Sequence, residues 1–410
     1  MLFNIFKAVV PALLLSSVAQ AAAQIDTTTI GAKTPLSSKT KVCNVLDYGG
    51  VADNKTDIGP AILEAFSSCA SSGGATIYVP PGSYSIATGV TLNKGSAYAI
   101  QIDGLITLTS DGSFGGNAIV IENTSDVEIF SSNGLGAING QGYIHRISGS
   151  TQNARLFRVI SSSYISIHDI IFVDSPTFHL VLNSVSNLEA YQLTIRGPSI
   201  GGTDGIDIIC DDNCWLHNIE VTNRDECISV KTPSNNILIE EVYCNQSGGM
   251  SIGSLTADAG EEAAVSNITM RNIYVYQCTQ MLMIKTFPGG TGSVGYVKDS
   301  LFENFWAYDS TYGLGKPPSP SKNPNNEYLQ PTNPSPDIDQ YWESHTTPDT
   351  GAVALSSLTF TNWTGTVANG VSRAPIVIRG SDIVPITDIV LSDFSMWTES
   401  GSTLLNQCKN

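Results

Sequence analysis

Four short segments decide how this chain folds: Thr203-Asp204-Gly205-Ile206-Asp207-Ile208, Glu226-Cys227-Ile228-Ser229-Val230-Lys231, Gly248-Gly249-Met250-Ser251-Ile252-Gly253 and Met281-Leu282-Met283-Ile284-Lys285. Each carries an apolar pair separated by one residue: Ile206/Ile208, Ile228/Val230, Met250/Ile252 and Leu282/Ile284. Two-residue alternation marks a short strand, and its return every 20–30 residues or so marks stacked coils. If the pairs point inward, the residues between them form columns on the outer surface, with coils about 4.8 Å apart. One column is then Asp207, Ser229, Ser251 and Met283; the next is Ile209, Lys231, Gly253 and Lys285.

A second register confirms the stacking. Apolar residues recur at i, i+2 and i+5 in Ile165/Ile167/Ile170, Leu188/Ala190/Leu193, Cys214/Leu216/Ile219, Ile237/Ile239/Val242 and Ile268/Met270/Ile273. Weaker copies begin at Ser300, Leu358 and Ile389, and Asn or Asp usually stands just before an apolar residue. Helical spacing is found mainly over Ile58–Cys69, which suits a cap on the first coil. The leucine-asparagine consensus of leucine-rich repeats is absent. The expected fold is all-β: a right-handed parallel β-helix with a short N-terminal helical cap. It should form one domain over residues 22–410, interrupted by a proline-rich loop around 315–336.

Composition sets outer bounds. The 410 residues are 41% hydrophobic and 14% charged, with a net charge of −17. Such a surface has no basic field for nucleic acid, and the apolar content excludes a disordered chain. Residues 1–21 carry Lys7, an apolar run and Ala19-Gln20-Ala21, the pattern of a secretory signal peptide. No later segment is long and apolar enough to span a membrane, so a secreted, extracellular, monomeric protein is expected. Eight cysteines suit an oxidising compartment, and Asn54, Asn123, Asn245, Asn267 and Asn362 begin N-x-S/T sequons that are candidates for glycosylation.

The chemistry gathers at one end of the outer columns. Asp204, Asp225 and Glu226 fall in the turns entering two adjacent strands, and Asp207 faces outward beside them. Lys231 and Lys285 share a column two coils apart, with Gly253 leaving space between them. Crowded carboxylates raise one another's pKa, so one of them holds a proton in mild acid. A protonated acid beside ionised ones is what glycoside hydrolysis requires. Residue types alone leave two other readings: a calcium site serving a lyase, or acidic turns that are merely solvated.

Four ordered strings narrow the choice. Gly202-Thr203-Asp204, Asp225-Glu226, Gly248-Gly249 with Met250-Ser251, and Met283-Ile284-Lys285 resemble the signatures of family 28 glycoside hydrolases, which in polygalacturonases read N-T-D, D-D, G-H-G and R-I-K. The resemblance implies a secreted, inverting pectin hydrolase without metal or other cofactor. It makes Asp225 the general acid, and Asp204 with Glu226 the groups that hold and activate water. Lys231 and Lys285 would counter substrate carboxylates.

The departures are informative. Glycine replaces the asparagine at Gly202 and the histidine at Gly248, Glu226 replaces an aspartate, and Met283 replaces an arginine that grips the leaving-side carboxylate. Methionine removes a bidentate donor and supplies an apolar contact, which fits a methyl-bearing sugar such as rhamnose. Glu226, Gly248 and Met283 together resemble rhamnogalacturonan hydrolases. The implied reaction is endo cleavage of the α-1,2 bond from galacturonate to rhamnose in rhamnogalacturonan I, a pectic polysaccharide. The alternatives are a polygalacturonase, a xylogalacturonan hydrolase, or a non-catalytic polysaccharide-binding β-helix. Such inverting chemistry calls for carboxyls roughly 6.5–9.5 Å apart.

The resemblance also supports a Cys227–Cys244 bridge, while Cys43–Cys69 would pin the cap. Cys210, Cys214, Cys278 and Cys408 are left open between bridges and free thiols. Arg224 is divided between site and surface, and structural roles are expected for His168, His217, Trp215 and Trp306.

Overall fold

The i, i+2, i+5 copies stack residue for residue. Ile165 lies beside Leu188, Leu188 beside Cys214, Cys214 beside Ile237 and Ile237 beside Ile268; farther on, Ser300 lies beside Leu358 and Leu358 beside Ile389. All these pairings are parallel, and each strand bonds to the strand one coil earlier and one coil later, which defines a parallel β-helix. The computed structural model describes residues 25–109, 114–149, 154–256, 261–287, 294–308, 336–340, 352–367, 376–381, 383–398 and 400–401. The predicted signal segment, Cys408 and nearly all of the proline-rich loop lie outside these residues. No helix among the described residues is long and apolar enough to cross a membrane.

The asparagine pattern has a conformational cause. Asp169, Asn218, Asn272, Asn304, Asn362 and Asp393 all have φ between 53° and 58°, and each precedes an inward apolar residue. Asn and Asp enter this left-handed region more readily than other non-glycine residues, so they mark the corner where each coil bends from one sheet to the next. The corner residues also bond up the stack: Asn362 donates to Asn304 at 2.7 Å, and Asn304 to Asn272 at 3.0 Å.

The core is a continuous apolar column. Ile206, Ile208, Ile228, Val230, Met250, Ile252 and Ile284 are fully buried, confirming the inward pairs. Toward the C-terminal coils, aromatic residues take over, with Phe305 stacked on Trp363 at 4.2 Å. At the other end, the α-helix Gly59–Ala65 runs into a helical turn at Phe66–Ala70. Its Ile58, Ile62, Ala65, Phe66 and Cys69 are buried against the first coil, as their spacing requires.

Bridges join Cys43 to Cys69 and Cys227 to Cys244, as expected, and a third joins Cys210 to Cys214. Cys278 is a buried free thiol, pushed up to about 12 by burial. Of the sequons, Asn54, Asn123 and Asn362 are exposed. Asn245 and Asn267 are half-buried, with their amides donating to Glu220 at 3.3 Å and Asn235 at 2.8 Å.

Candidate active site

The predicted outer column is real: Asp207 pairs with Ser229, Ser229 with Ser251, Ser251 with Met283, and Met283 with Asp337. These residues face away from the core, yet Asp207 is 7% exposed, Ser229 and Ser251 0%, Met283 2% and Asp337 4%. An outward column that meets so little solvent is the floor of a groove. Gly253 lies beside Lys285 in the neighbouring column.

At one edge of this floor, Asp204 enters the strand Ile206–Thr222, and Asp225 with Glu226 begins the strand Glu226–Val230 one coil on. One oxygen from each of the three carboxylates lies within 4.8 Å of the other two. These are nearest-oxygen distances, and two of the three acids, Asp225 and Glu226, are chain neighbours that share a hydrogen bond.

The backbone holds these groups firmly. Gly205 N–H donates to Glu226 O at 2.9 Å, and Gly248 N–H to Asp225 O at 2.7 Å. Glu226 N–H donates to Asp225 Oδ1 at 3.1 Å, and Gly202 N–H donates to Asp225 Oδ2. Gly202 has φ +72°, so a glycine in place of asparagine supplies this turn and its amide without steric cost. A Cβ on Gly248 would stand 3.1 Å from Asp225 O and 3.2 Å from Glu226 N; its missing side chain lets the next coil close on the peptide joining them.

Two positioning residues escaped the sequence reading. Asn223 donates at 2.9 Å to both Thr203 O and Glu226 O, tying the two acid-bearing turns together. His179 is fully buried; its Nδ1 meets Asp204 O at 3.0 Å, and its Nε2 accepts from Ser175 N–H at 3.2 Å. Burial lowers its pKa to about 4, so it stays neutral. Neither residue lies in a signature string, although His179 immediately precedes the strand whose residues stack beneath Asp207.

The lysines stand among the acids. Lys285 is ion-paired to Glu226, while Lys231 reaches Asp207 at 3.4 Å, Asp204 at 4.0 Å and Gly253 O at 2.8 Å. Two ammonium groups thus supply counter-charge to the cluster. Gly253 turns out to serve the fold as well: a Cβ there would meet Lys285 O at 2.2 Å, and its carbonyl also accepts from Ser229 Oγ at 2.7 Å.

Environment divides the acids. Burial, then the hydrogen bond and charge of Glu226, pushes Asp225 up to about 7. Burial alone would raise Glu226 too, but the hydrogen bond from Asp225 and the charge of Lys285 hold it down at about 2. Burial and the charges of Asp207, Glu226 and Asp225 raise Asp204 well above the usual carboxylate range. Asp207 is raised by burial, against the pull of Lys231. Asp225 therefore keeps a proton near neutrality beside an ionised Glu226, a proton donor and a proton acceptor in one cluster.

His168, His217, Trp215 and Trp306 pack into aromatic stacks. Phe130, His168, Tyr191 and His217 form a stacked ladder on another face, and Trp215 stacks on His217 at 4.1 Å. Trp306 stacks on Tyr274 at 4.7 Å. Met283 is pinned in the floor, with Gln280 Nε2 at 3.2 Å from its sulfur.

A parallel β-helix whose groove holds a split set of carboxyls defines a polysaccharide-acting class of protein. The chain belongs to family 28 of the glycosyl hydrolases, whose model matches residues 69–314. It is 44% identical over 383 residues to rhamnogalacturonase A of Aspergillus aculeatus, covering 93% of this chain and 79% of that one. It is 43% identical over 405 residues to a probable rhamnogalacturonase A of Aspergillus niger, covering 98% and 83%. Among solved structures, an endo-xylogalacturonan hydrolase from Aspergillus tubingensis superimposes with a TM-score of 0.72 at 23% identity, covering 88% of this chain and 94% of that one.

Proposed function

We propose that this protein is a secreted, monomeric pectin-degrading hydrolase that cuts rhamnogalacturonan I internally, at the α-1,2 bond from galacturonate to rhamnose, with inversion. The observation that carries the reaction is the division between Asp225, protonated up to about pH 7, and Glu226, ionised down to about pH 2. Asp225 gives its proton to the departing rhamnose oxygen as the bond to the anomeric carbon breaks. Glu226 takes a proton from water as the water oxygen bonds to that carbon from the opposite face, and Asp204 orients the water. Lys285 and Lys231 help to keep Glu226 ionised and face the carboxylates of bound galacturonate. Met283, with Gly248 beside the acid pair, favours rhamnose on the leaving side, since neither offers a donor to a carboxylate there.

The test sets rhamnogalacturonan and homogalacturonan side by side, following new reducing ends and the anomer first released. The proposal expects new ends on rhamnogalacturonan, an inverted anomer, and at least about a hundredfold loss in Asp225→Asn, the usual size of a general-acid contribution. A polygalacturonase would prefer homogalacturonan. A binding protein would retain polymer and release no ends. Normal cleavage by Asp225→Asn would overturn the assignment.

A further inference from the structure

The groove floor continues beyond the catalytic coils toward the N-terminus. Asp207 lies beside Val181 on the strand Leu180–Tyr191, and Val181 beside Arg158 on the strand Arg155–His168. Val181 stands between the fully buried Leu180 and Leu182, and Arg158 between Phe157 and Val159, so both point outward. Val181 is only 9% exposed, as deep in the floor as Asp207. The Arg158 Nε is buried without a hydrogen-bond partner; the charge of Asp207 acts on the guanidinium, but among the described residues no acid lies within ion-pair distance of it. Nearby Arg155 places its guanidinium 5.5 Å from the Phe178 ring, adding a second positive charge to that end.

An unpaired, half-buried guanidinium is costly unless a ligand completes it, and a carboxylate is its natural bidentate partner. Coils repeat about every 4.8 Å, so Arg158 stands roughly 10 Å from Asp207 along the floor. An extended glycan advances about one sugar per such step. Met283 and Lys285 mark the leaving side on the C-terminal coils, so Val181 and Arg158 lie on the side of the sugar whose anomeric carbon is attacked.

We propose that Val181 and Arg158 form the two subsites that read the alternation of the substrate on that side. Val181 packs against the rhamnose methyl two sugars from the cut, and Arg158 binds the galacturonate carboxylate three sugars away. This rests on the rhamnogalacturonan reading. At the same step Met283, three coils beyond Asp207, lies under the second rhamnose on the leaving side, so the floor presents an apolar residue to a rhamnose on each side of the cut.

The test is a cycle between protein and ligand. Two rhamnogalacturonan oligosaccharides are compared, one native and one with the galacturonate third from the cut reduced to the neutral sugar. Wild type should favour the native oligomer by about tenfold or more in kcat/KM, the size of a charge-assisted hydrogen bond. Arg158→Ala should erase that preference, and Arg158→Lys should keep part of it. Val181→Ser should cost several-fold on oligomers that place rhamnose over it, and less on oligomers ending one sugar from the cut. Equal losses on native and reduced oligomers in Arg158→Ala, or a wild type that does not distinguish them, would overturn the subsite and leave the cleavage reading intact. A wild type that cuts homogalacturonan alone would overturn both.

Discussion

The ammonium of Lys285 is ion-paired to the Glu226 carboxylate, joining the strand Leu282–Thr286 to the strand Glu226–Val230 two coils away. That bond, with the hydrogen bond from Asp225, outweighs the burial of Glu226 and keeps it ionised in acid. In the proposed reaction the lysine therefore acts on the base before any substrate carboxylate arrives.

Removing it should move the acid limb of the pH profile. Glu226 must be ionised to accept a proton, and without Lys285 its pKa rises. Lys285→Met should shift the acidic limb of kcat upward by about one unit or more, with the largest loss near pH 4. An unmoved limb, measured on rhamnogalacturonan oligomers, would show that Glu226 is not the titrating base.

In the proposed reaction the alkaline limb belongs to Asp225. Its carboxyl must carry a proton to donate one, so activity should fall as pH passes through about 7. Stability should follow the same group. Its folded pKa lies above its unfolded value of 3.8, so the proton-linked stabilisation is full below that value and lost as pH rises through about 7. Raised Asp204 and Asp207 act in the same direction, whereas lowered Glu226 acts oppositely, losing its contribution as pH falls toward 2. Thermal unfolding between pH 4 and pH 8 should show wild-type Tm declining, and Asp225→Asn declining less. An identical slope in both would count against a buried, protonated Asp225.

Substrate choice should turn on the groove floor. Met283 is in register with Asp337, so an arginine placed there has an acid beside it. Met283→Arg should lower kcat/KM on rhamnogalacturonan by roughly tenfold or more, since it replaces an apolar contact with a charge. The ratio of homogalacturonan to rhamnogalacturonan activity should rise. Gly248→His should reduce both activities, because its Cβ presses on the Asp225–Glu226 peptide at 3.1–3.2 Å.

His179 should behave as a positioning residue. Its Nδ1–H supports the carbonyl of Asp204, and its ring covers Gly197, where a Cβ would stand 2.8 Å away. His179→Phe leaves that carbonyl only the backbone N–H of residue 179, strips Ser175 N–H of its acceptor, and should lower kcat by about tenfold with a smaller change in KM. His179→Asn, which retains a donor, should recover part of it. Equal effects in both variants would assign the histidine to packing alone.

Much of this was legible in the residues because a solenoid is nearly one-dimensional. A fixed step in sequence becomes a fixed step in space, so Asp207, Ser229, Ser251 and Met283 could be aligned before any coordinate was known. The Asn and Asp spacing was visible too, although its cause, a left-handed corner in every coil, belongs to backbone geometry. The Cys210–Cys214 bridge was harder to read: inward parity suits a buried thiol and a bridge equally, and an irregular register around Cys210 accompanies the bridge.

Strand periodicity and parallel register, both written in the residues, dictate the coil, the outer columns and which acids meet. How those acids differ follows from the folded surroundings. Asp225 and Glu226 are adjacent in the chain and chemically alike, yet one is raised to about 7 and the other lowered to about 2. Burial raises both; the difference comes from the hydrogen bond between them, which raises Asp225 and lowers Glu226, and from an ammonium two coils away that pairs with Glu226. Such interactions depend on distance and dielectric rather than on residue type, so no string of letters contains them.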